Sequence, residues 1–269
     1  MGDGDKKRAR RRALAMLAQA AIGGLIAWNY TLHVVWRPVR WNGPVFLGAH
    51  AVLALTLWSW GATVTQRPNT AHVQVKQRTD WETCKRTGLL LPPRSRMWHD
   101  EMILGFDHYC GWLGVPIGLH NRKAFVLFLG YGCLLTAVSA ALLAYDLSKQ
   151  RHLLEDSGVD PSRSSFLSDI GLFLSPGYLL LVLFQLAGRV SLEGYTAFVD
   201  LVVAALLLAF ATYNMRLVLR NATTIDPRPS RYDVGRAANV RQVFGRKAAL
   251  WWLPLEGEPT VDGVDWPQQ

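Results

Sequence analysis

The run AFVLFLGYGCLLTAVSAALLAYDL, residues 124–147, decides the class of this chain. It carries no charge before Asp146, and it exceeds the roughly 20 apolar residues that a helix needs to cross a bilayer. Arg122 and Lys123 stand directly before it, where cations anchor the cytosolic end of a span. Outward from it lie three more apolar runs, from Ala13 to about Trp36, Gly43 to Val64 and about Tyr195 to Leu219. Composition agrees. Half of the residues are hydrophobic and 18% are charged, against about 25% charged in an ordinary soluble domain.

Charge sets the topology. The first run follows Lys6-Lys7-Arg8-Ala9-Arg10-Arg11-Arg12. A basic start with an apolar stretch also describes a secretory signal peptide, but the length of this one favours a retained span. A second basic block, 65–123, holds Lys76, Arg78, Lys85, Arg86, Arg94, Arg96, Arg122 and Lys123. A third follows Arg220, with Arg228, Arg231, Arg236, Arg241, Arg246 and Lys247. Two crossings between successive blocks put all three in the cytosol. The net charge of +9 is therefore a matter of orientation and does not point to nucleic acid. One further apolar segment, 172–186, reads LFLSPGYLLLVLFQL. As a fifth crossing it would strand the basic tail on the far side, so an interfacial or re-entrant luminal element is expected. The fold class is all-α and membrane-embedded: four transmembrane helices, a small irregular cytosolic insert between the second and third, and a cytosolic tail. The boundaries are a basic N-terminus at 1–12, two spans in 13–64, the insert at 65–123, two spans with a luminal segment in 124–220, and the tail at 221–269.

The insert carries the chemistry. It reads Asp107-His108-Tyr109-Cys110 just upstream of the third span. Cysteine attacks as the thiolate, and a neighbouring base helps to form it. Histidine titrates near neutrality, and a carboxylate beside it fixes the imidazole tautomer. A short Asp-His-x-Cys run also occurs among surface and metal-binding residues; its place at the bilayer surface suits a thiol that meets a lipid-chain donor. Trp112, Pro116 and Gly118 read as a tight apolar loop around it. The other cysteines are Cys84 and Cys133, with no CxxC pair and no even set that would suggest a disulfide framework. Cys133 falls in the third span, as a lipid- or core-facing residue.

A family resemblance follows from these and other residues. Pro92-Pro93-Arg94-Ser95, Asp107 through Trp112, and Gly118-Leu119-His120-Asn121 with Phe125 and Phe128 resemble the core of the DHHC palmitoyltransferases. In the tail, Thr223-Thr224-Ile225-Asp226 is similar to the family's Thr-Thr-x-Glu motif, with Asp for Glu. Tyr232-Asp233-Val234-Gly235, Asn239, Val243-Phe244-Gly245, Trp251-Trp252-Leu253-Pro254 and Asp262-Gly263 continue the likeness. The resemblance implies a protein S-acyltransferase that takes a long-chain acyl group from acyl-CoA onto Cys110 and passes it to a cysteine of a protein substrate. It implies His108 as base and Asp107 as its orienting partner, with the acyl chain among the spans and in contact with membrane lipid. Arg94, Arg122 and Lys123 become candidates for the CoA phosphates; Arg122 and Lys123 read equally well as positive-inside anchors. Asn121, Thr223, Thr224, Asp226 and Asn239 take structural parts. The expected setting is endomembrane, Golgi or endoplasmic reticulum.

The resemblance fails at the metal positions. The family insert holds two zinc ions through six cysteines and two histidines. Here those positions fall on Trp81, His99, Met102, Tyr109 and Pro116, with Cys84 retained. Structural zinc takes four N or S ligands in a closed tetrahedron. Cys84, His99 and His72 do not complete one, so no metal ligand is assigned and zinc is not expected. Trp81, Met97, Trp98, Met102 and Phe106 suggest that apolar packing replaces it. A non-catalytic membrane scaffold of the same family is the alternative reading. A small transporter is disfavoured because Asp200 is the lone acidic residue within the fourth run.

Overall fold

The computed structural model describes residues 3–36, 43–68, 70, 81–99, 101–156, 192–226, 231–256 and 259–268. The segment 172–186, His72, Lys76, Arg78 and Arg228 lie outside the described residues. Helix α1 spans Asp3–Tyr30 and continues through a wider π turn, Thr31–Trp36. Helix α2 spans Gly43–Thr65, α3 spans Arg122–Asp156 and α4 spans Leu192–Leu219. Four stretches within them are long and apolar enough to cross a membrane: Ala9–Val34, Gly43–Thr65, Arg122–Lys149 and Leu192–Leu219. The hydroxyls of α2 are satisfied within the helix. Thr56, Ser59 and Thr63 each donate to the carbonyl four residues back, at 2.8, 2.6 and 2.7 Å, as apolar surroundings require.

The described chain forms two compact units. One comprises 1–132 with 207–269, the other 133–206. In the second, the Ser139 hydroxyl of α3 donates to Asp200 Oδ2 of α4 at 2.5 Å, and Cys133 Sγ lies 3.4 Å from the Ala204 carbonyl. Asp200 is thus fully buried and hydrogen-bonded.

The first unit holds the insert, whose described residues form three antiparallel hairpins. Strands β1 (Glu82–Thr83) and β2 (Leu90–Leu91) form the first, β3 (Arg96–Trp98) and β4 (Glu101–Ile103) the second, β5 (His108–Cys110) and β6 (Val115–Ile117) the third. Two residues separate Trp98 from its partner Glu101. A connection that short favours turns with positive φ, and His99 takes φ 54°. In the third hairpin, Cys110 pairs with Val115, and the Gly114 N–H closes the loop onto the Cys110 carbonyl at 2.8 Å. Gly114 has φ 69°, a left-handed conformation that glycine takes without steric cost.

Apolar burial seats this hairpin on the helix ends. Cys110, Leu113, Ile117, Phe125, Phe128 and Leu129 form one cluster, against which Ile22 of α1, Trp60 and Val64 of α2, and Leu207 and Ala211 of α4 pack. Leu113 and Ile117 are 1% and 0% exposed, and each such side chain contributes about 1.5–3 kcal/mol. A second cluster joins Trp81, Leu104 and Val264, with Leu90 and Met102 against it. The tail helix α5, Arg236–Phe244, packs Val243 and Phe244 against Val126 and Val218. Asn239 locks the start of α5: its Nδ2 donates to the Leu219 carbonyl and to Asp233, at 2.9 and 2.6 Å, and its Oδ1 accepts from the Val234 N–H.

Candidate active site

Side chains alternate across a strand, so residues two apart share a face. On β5 this places His108 and Cys110 together and turns Tyr109 away. The Tyr109 ring stacks on Trp98 with centroids 4.3 Å apart and planes 16° from parallel. His108 packs edge-on against Phe125 at 5.4 Å. Its Nδ1 donates to Asp107 Oδ2 at 2.7 Å, which leaves Nε2 as the ring nitrogen available to the Cys110 side chain, and that side chain favours the charged imidazole.

Asp107 has no exposed surface. Besides His108, its carboxylate accepts the Thr224 N–H at 3.0 Å and the Thr224 hydroxyl at 2.8 Å. Arg122 Nη2 lies 3.3 Å from its other oxygen, and the Asp107 N–H donates to the Ile117 carbonyl. Burial alone would raise the carboxyl's pKa. Arg122, His108 and Thr224 outweigh it and hold the group at about 2. Burial likewise opposes charge on His108. The bond to Asp107 and the Cys110 side chain outweigh it, and the imidazole is raised to about 9. The site therefore favours an imidazolium flanked by a carboxylate and a sulfur.

The tail supplies this geometry. Thr223 and Asp226 close a short turn through paired backbone bonds of 3.1 Å, and the Asp226 N–H also reaches the Thr223 hydroxyl. That turn points Thr224 at Asp107. Asn121, 1% exposed, ties the third hairpin to α2: its Oδ1 accepts the Gly118 N–H at 3.0 Å, and its Nδ2 donates to the Thr63 and Pro116 carbonyls at 3.0 and 3.1 Å.

The three basic candidates have internal partners. Arg94 donates to Asn221 Oδ1 and carbonyl at 2.8 and 2.9 Å and lies over the Tyr232 and Trp266 rings, 5.0 and 4.3 Å from their centroids. Burial, then the nearby Arg122, lowers its pKa to about 10. Arg122 donates to the Ala222 carbonyl at 2.8 Å and Lys123 to the Leu250 carbonyl at 3.0 Å. Asn221 is a hub that sequence reasoning missed. It holds φ 45° at the end of α4 and donates to the Tyr232 carbonyl and Gln242 at 2.7 and 2.8 Å. The only sequence signal was an asparagine, the residue most tolerant of a left-handed position after glycine, just past the fourth apolar run.

A family model described as DHHC palmitoyltransferase matches residues 77–228, more than half of the chain. The chain belongs to the DHHC palmitoyltransferase family. Among its relatives, "Probable protein S-acyltransferase 13" of Arabidopsis thaliana is 26% identical over 94% of this chain and 91% of its own length. "Probable protein S-acyltransferase 12" of the same plant is 26% identical over 93% and 89%. The human "Palmitoyltransferase ZDHHC15" is 28% identical over 69% of this chain and half of its own length.

The described residues do not fit the family's zinc. Among the described residues, no three His, Cys, Asp or Glu side chains come together in a way that would hold a metal ion. Where this DHHC enzyme has lost a ligand, a ring or thioether makes a packing contact. Tyr109 lies on Trp98, and Met102 pairs with Met97 across the second hairpin and packs in the Trp81 cluster. Cys84 stands in a turn with Thr87, whose hydrogen bonds lower its thiol pKa.

Proposed function

We propose that this protein S-acyltransferase works through an acyl-enzyme on Cys110. The observation that carries the reading is the linear set Asp107–His108–Cys110, with Nδ1 of His108 held 2.7 Å from a fully buried carboxylate. The proton given up by Cys110 is held on His108, as the imidazolium that the site favours. The thiolate attacks the thioester carbonyl of a fatty acyl-CoA, the new C–S bond forms, and the bond to CoA breaks. CoA leaves as the thiolate and takes its proton from the imidazolium. A cysteine of a substrate protein then attacks the Cys110 thioester in the same manner, with His108 again moving the proton. Thioester exchange is nearly isoenergetic, so positioning and proton transfer supply most of the acceleration. Cys110 sits in an apolar cluster with Phe125, Phe128, Ile22 and Trp60, a setting in which an acyl chain gains about 0.8 kcal/mol per buried CH₂. The proposed setting is the cytosolic face of the Golgi or endoplasmic reticulum, with the basic blocks toward the cytosol. Incubation of the detergent-purified protein with clickable palmitoyl-CoA tests the reading. A hydroxylamine-labile label that Cys110→Ala abolishes is expected; no label on wild type, or equal label on the variant, refutes it.

A further inference from the structure

Helix α1 is more than a membrane anchor, because one of its faces is fitted to the catalytic loop. A Cβ added to Gly114 would stand 2.5 Å from the Ala15 Cβ, so the two backbones are in close contact there. One turn on, Gln19 Nε2 donates to the Leu113 carbonyl at 2.7 Å. Ile22 then enters the cluster around Cys110. Residues three and four apart share a helix face, so Arg11 and Arg12 continue this face by one turn beyond Ala15, about 6 Å along the axis. Both are exposed, and the charge of Arg11 is felt at the Tyr109 hydroxyl, on the face of β5 opposite Cys110.

An acyl-CoA has two unlike ends. The acyl chain belongs in the apolar cluster beneath Cys110. The phosphorylated nucleotide must then leave on the opposite side, past the loop 111–114, where Trp112 is 69% exposed. Cations are needed there. Lys85, Arg86 and Arg96 of the insert are exposed, but α1 is the element fitted to the loop 111–114, and the other three basic candidates are engaged elsewhere. Arg122 and Lys123 are only 4% and 5% exposed and donate to backbone carbonyls. Arg94 is held by Asn221 and two aromatic rings. From this placement we infer that Arg11 and Arg12 of α1 bind the phosphates at the nucleotide end of acyl-CoA while its thioester lies at Cys110. They are positioning residues for the donor, and the assignment rests on the acyl-CoA reading given above.

The same chemistry would suit the phosphates of anionic lipid headgroups, and the test separates the two. Full-length wild type, R11Q/R12Q and R11K/R12K are placed in nanodiscs of phosphatidylcholine alone, and acyl-enzyme formation is measured against palmitoyl-CoA and against palmitoyl-pantetheine, which lacks phosphate. Loss of charge-assisted bonds to phosphate should raise the KM for palmitoyl-CoA about tenfold in R11Q/R12Q, with kcat little changed. R11K/R12K should recover most of it, and the two glutamine substitutions should leave palmitoyl-pantetheine kinetics unchanged. Equal KM values for palmitoyl-CoA in wild type and R11Q/R12Q overturn the inference. So does a defect that is equal for both donors, or one that appears only when phosphatidylserine is added. A wild type that forms no acyl-enzyme with either donor overturns the acyl-transfer reading itself, and this inference with it.

Discussion

Thr224→Val isolates the contribution of the tail to the buried Asp107 carboxylate, the orienting partner in the proposed reaction. The substitution preserves shape and removes one donor, the hydroxyl 2.8 Å from Asp107 Oδ2. The backbone bond from Thr224, the Arg122 contact and the His108 bond remain. A hydrogen bond to a buried charged group is worth about 1.5–3 kcal/mol. The oxygen that loses it is the one that holds His108 Nδ1, so part of that energy orients the imidazole and part stabilises the fold. If half of it acts on the reaction, the rate falls by roughly three- to tenfold, since about 1.4 kcal/mol is tenfold. Thr224 is also among the groups that hold the Asp107 pKa down, so the carboxyl's titration should move upward, and with it the acid limb of the rate profile. The assay is single-turnover acylation of Cys110 at saturating palmitoyl-CoA across pH, with Thr224→Ser as the control that keeps the hydroxyl. A Thr224→Val protein with wild-type rate and an unmoved acid limb would refute a positioning role for the tail.

Asn121→Ala leaves the Gly118 N–H and the Thr63 and Pro116 carbonyls short of a partner in a buried site, and a stability loss of about 2–4 kcal/mol is expected, read as a fall in thermal midpoint in detergent. His108 has a raised folded-state pKa of about 9. Its stabilising contribution is therefore full below its ordinary value near 6.5 and is lost as pH rises toward 9; the midpoint gap between wild type and His108→Gln should shrink across that window, and a gap that widens there refutes the assignment. Prolonged treatment with 1,10-phenanthroline should leave the thermal midpoint and acyl-enzyme formation unchanged; a parallel loss of both would show a structural metal. Gly114→Ala forces a side chain into a left-handed conformation 2.5 Å from Ala15, costing about 1–2 kcal/mol in backbone strain alone; a lower thermal midpoint is expected, and an unchanged one counts against the close fit of α1 to the loop.

The four helices were legible because each apolar run is long enough to cross a bilayer, and the basic blocks set the orientation expected of them. The hairpins were not. Strands of two or three residues carry no readable period, and their turns rest on positive-φ residues such as His99, which nothing in the sequence marks. Within the site, the spacing of His108 and Cys110 already implied a shared face if the segment was extended. The partners of Arg94, Arg122 and Lys123 were hidden for a different reason. A sequence displays an arginine's charge, but the carbonyls of Asn221, Ala222 and Leu250 that receive these cations arrive only when the tail folds back over the insert. The part of α1 was hidden likewise: Ala15 and Gln19 look like ordinary residues of a membrane span until Gly114 is placed against them.

The stack of Tyr109 on Trp98 has a practical corollary. Where an insert is held together by thiolates around a metal, an oxidant or alkylating reagent that reaches the nucleophile also strips the scaffold, and loss of activity cannot be told from unfolding. Here the neighbours of Cys110 are rings and aliphatic chains that such reagents leave alone. With Cys84 and Cys133, the other free cysteines, replaced by serine, covalent titration of Cys110 should count active sites directly, in a protein that stays folded while it is being counted.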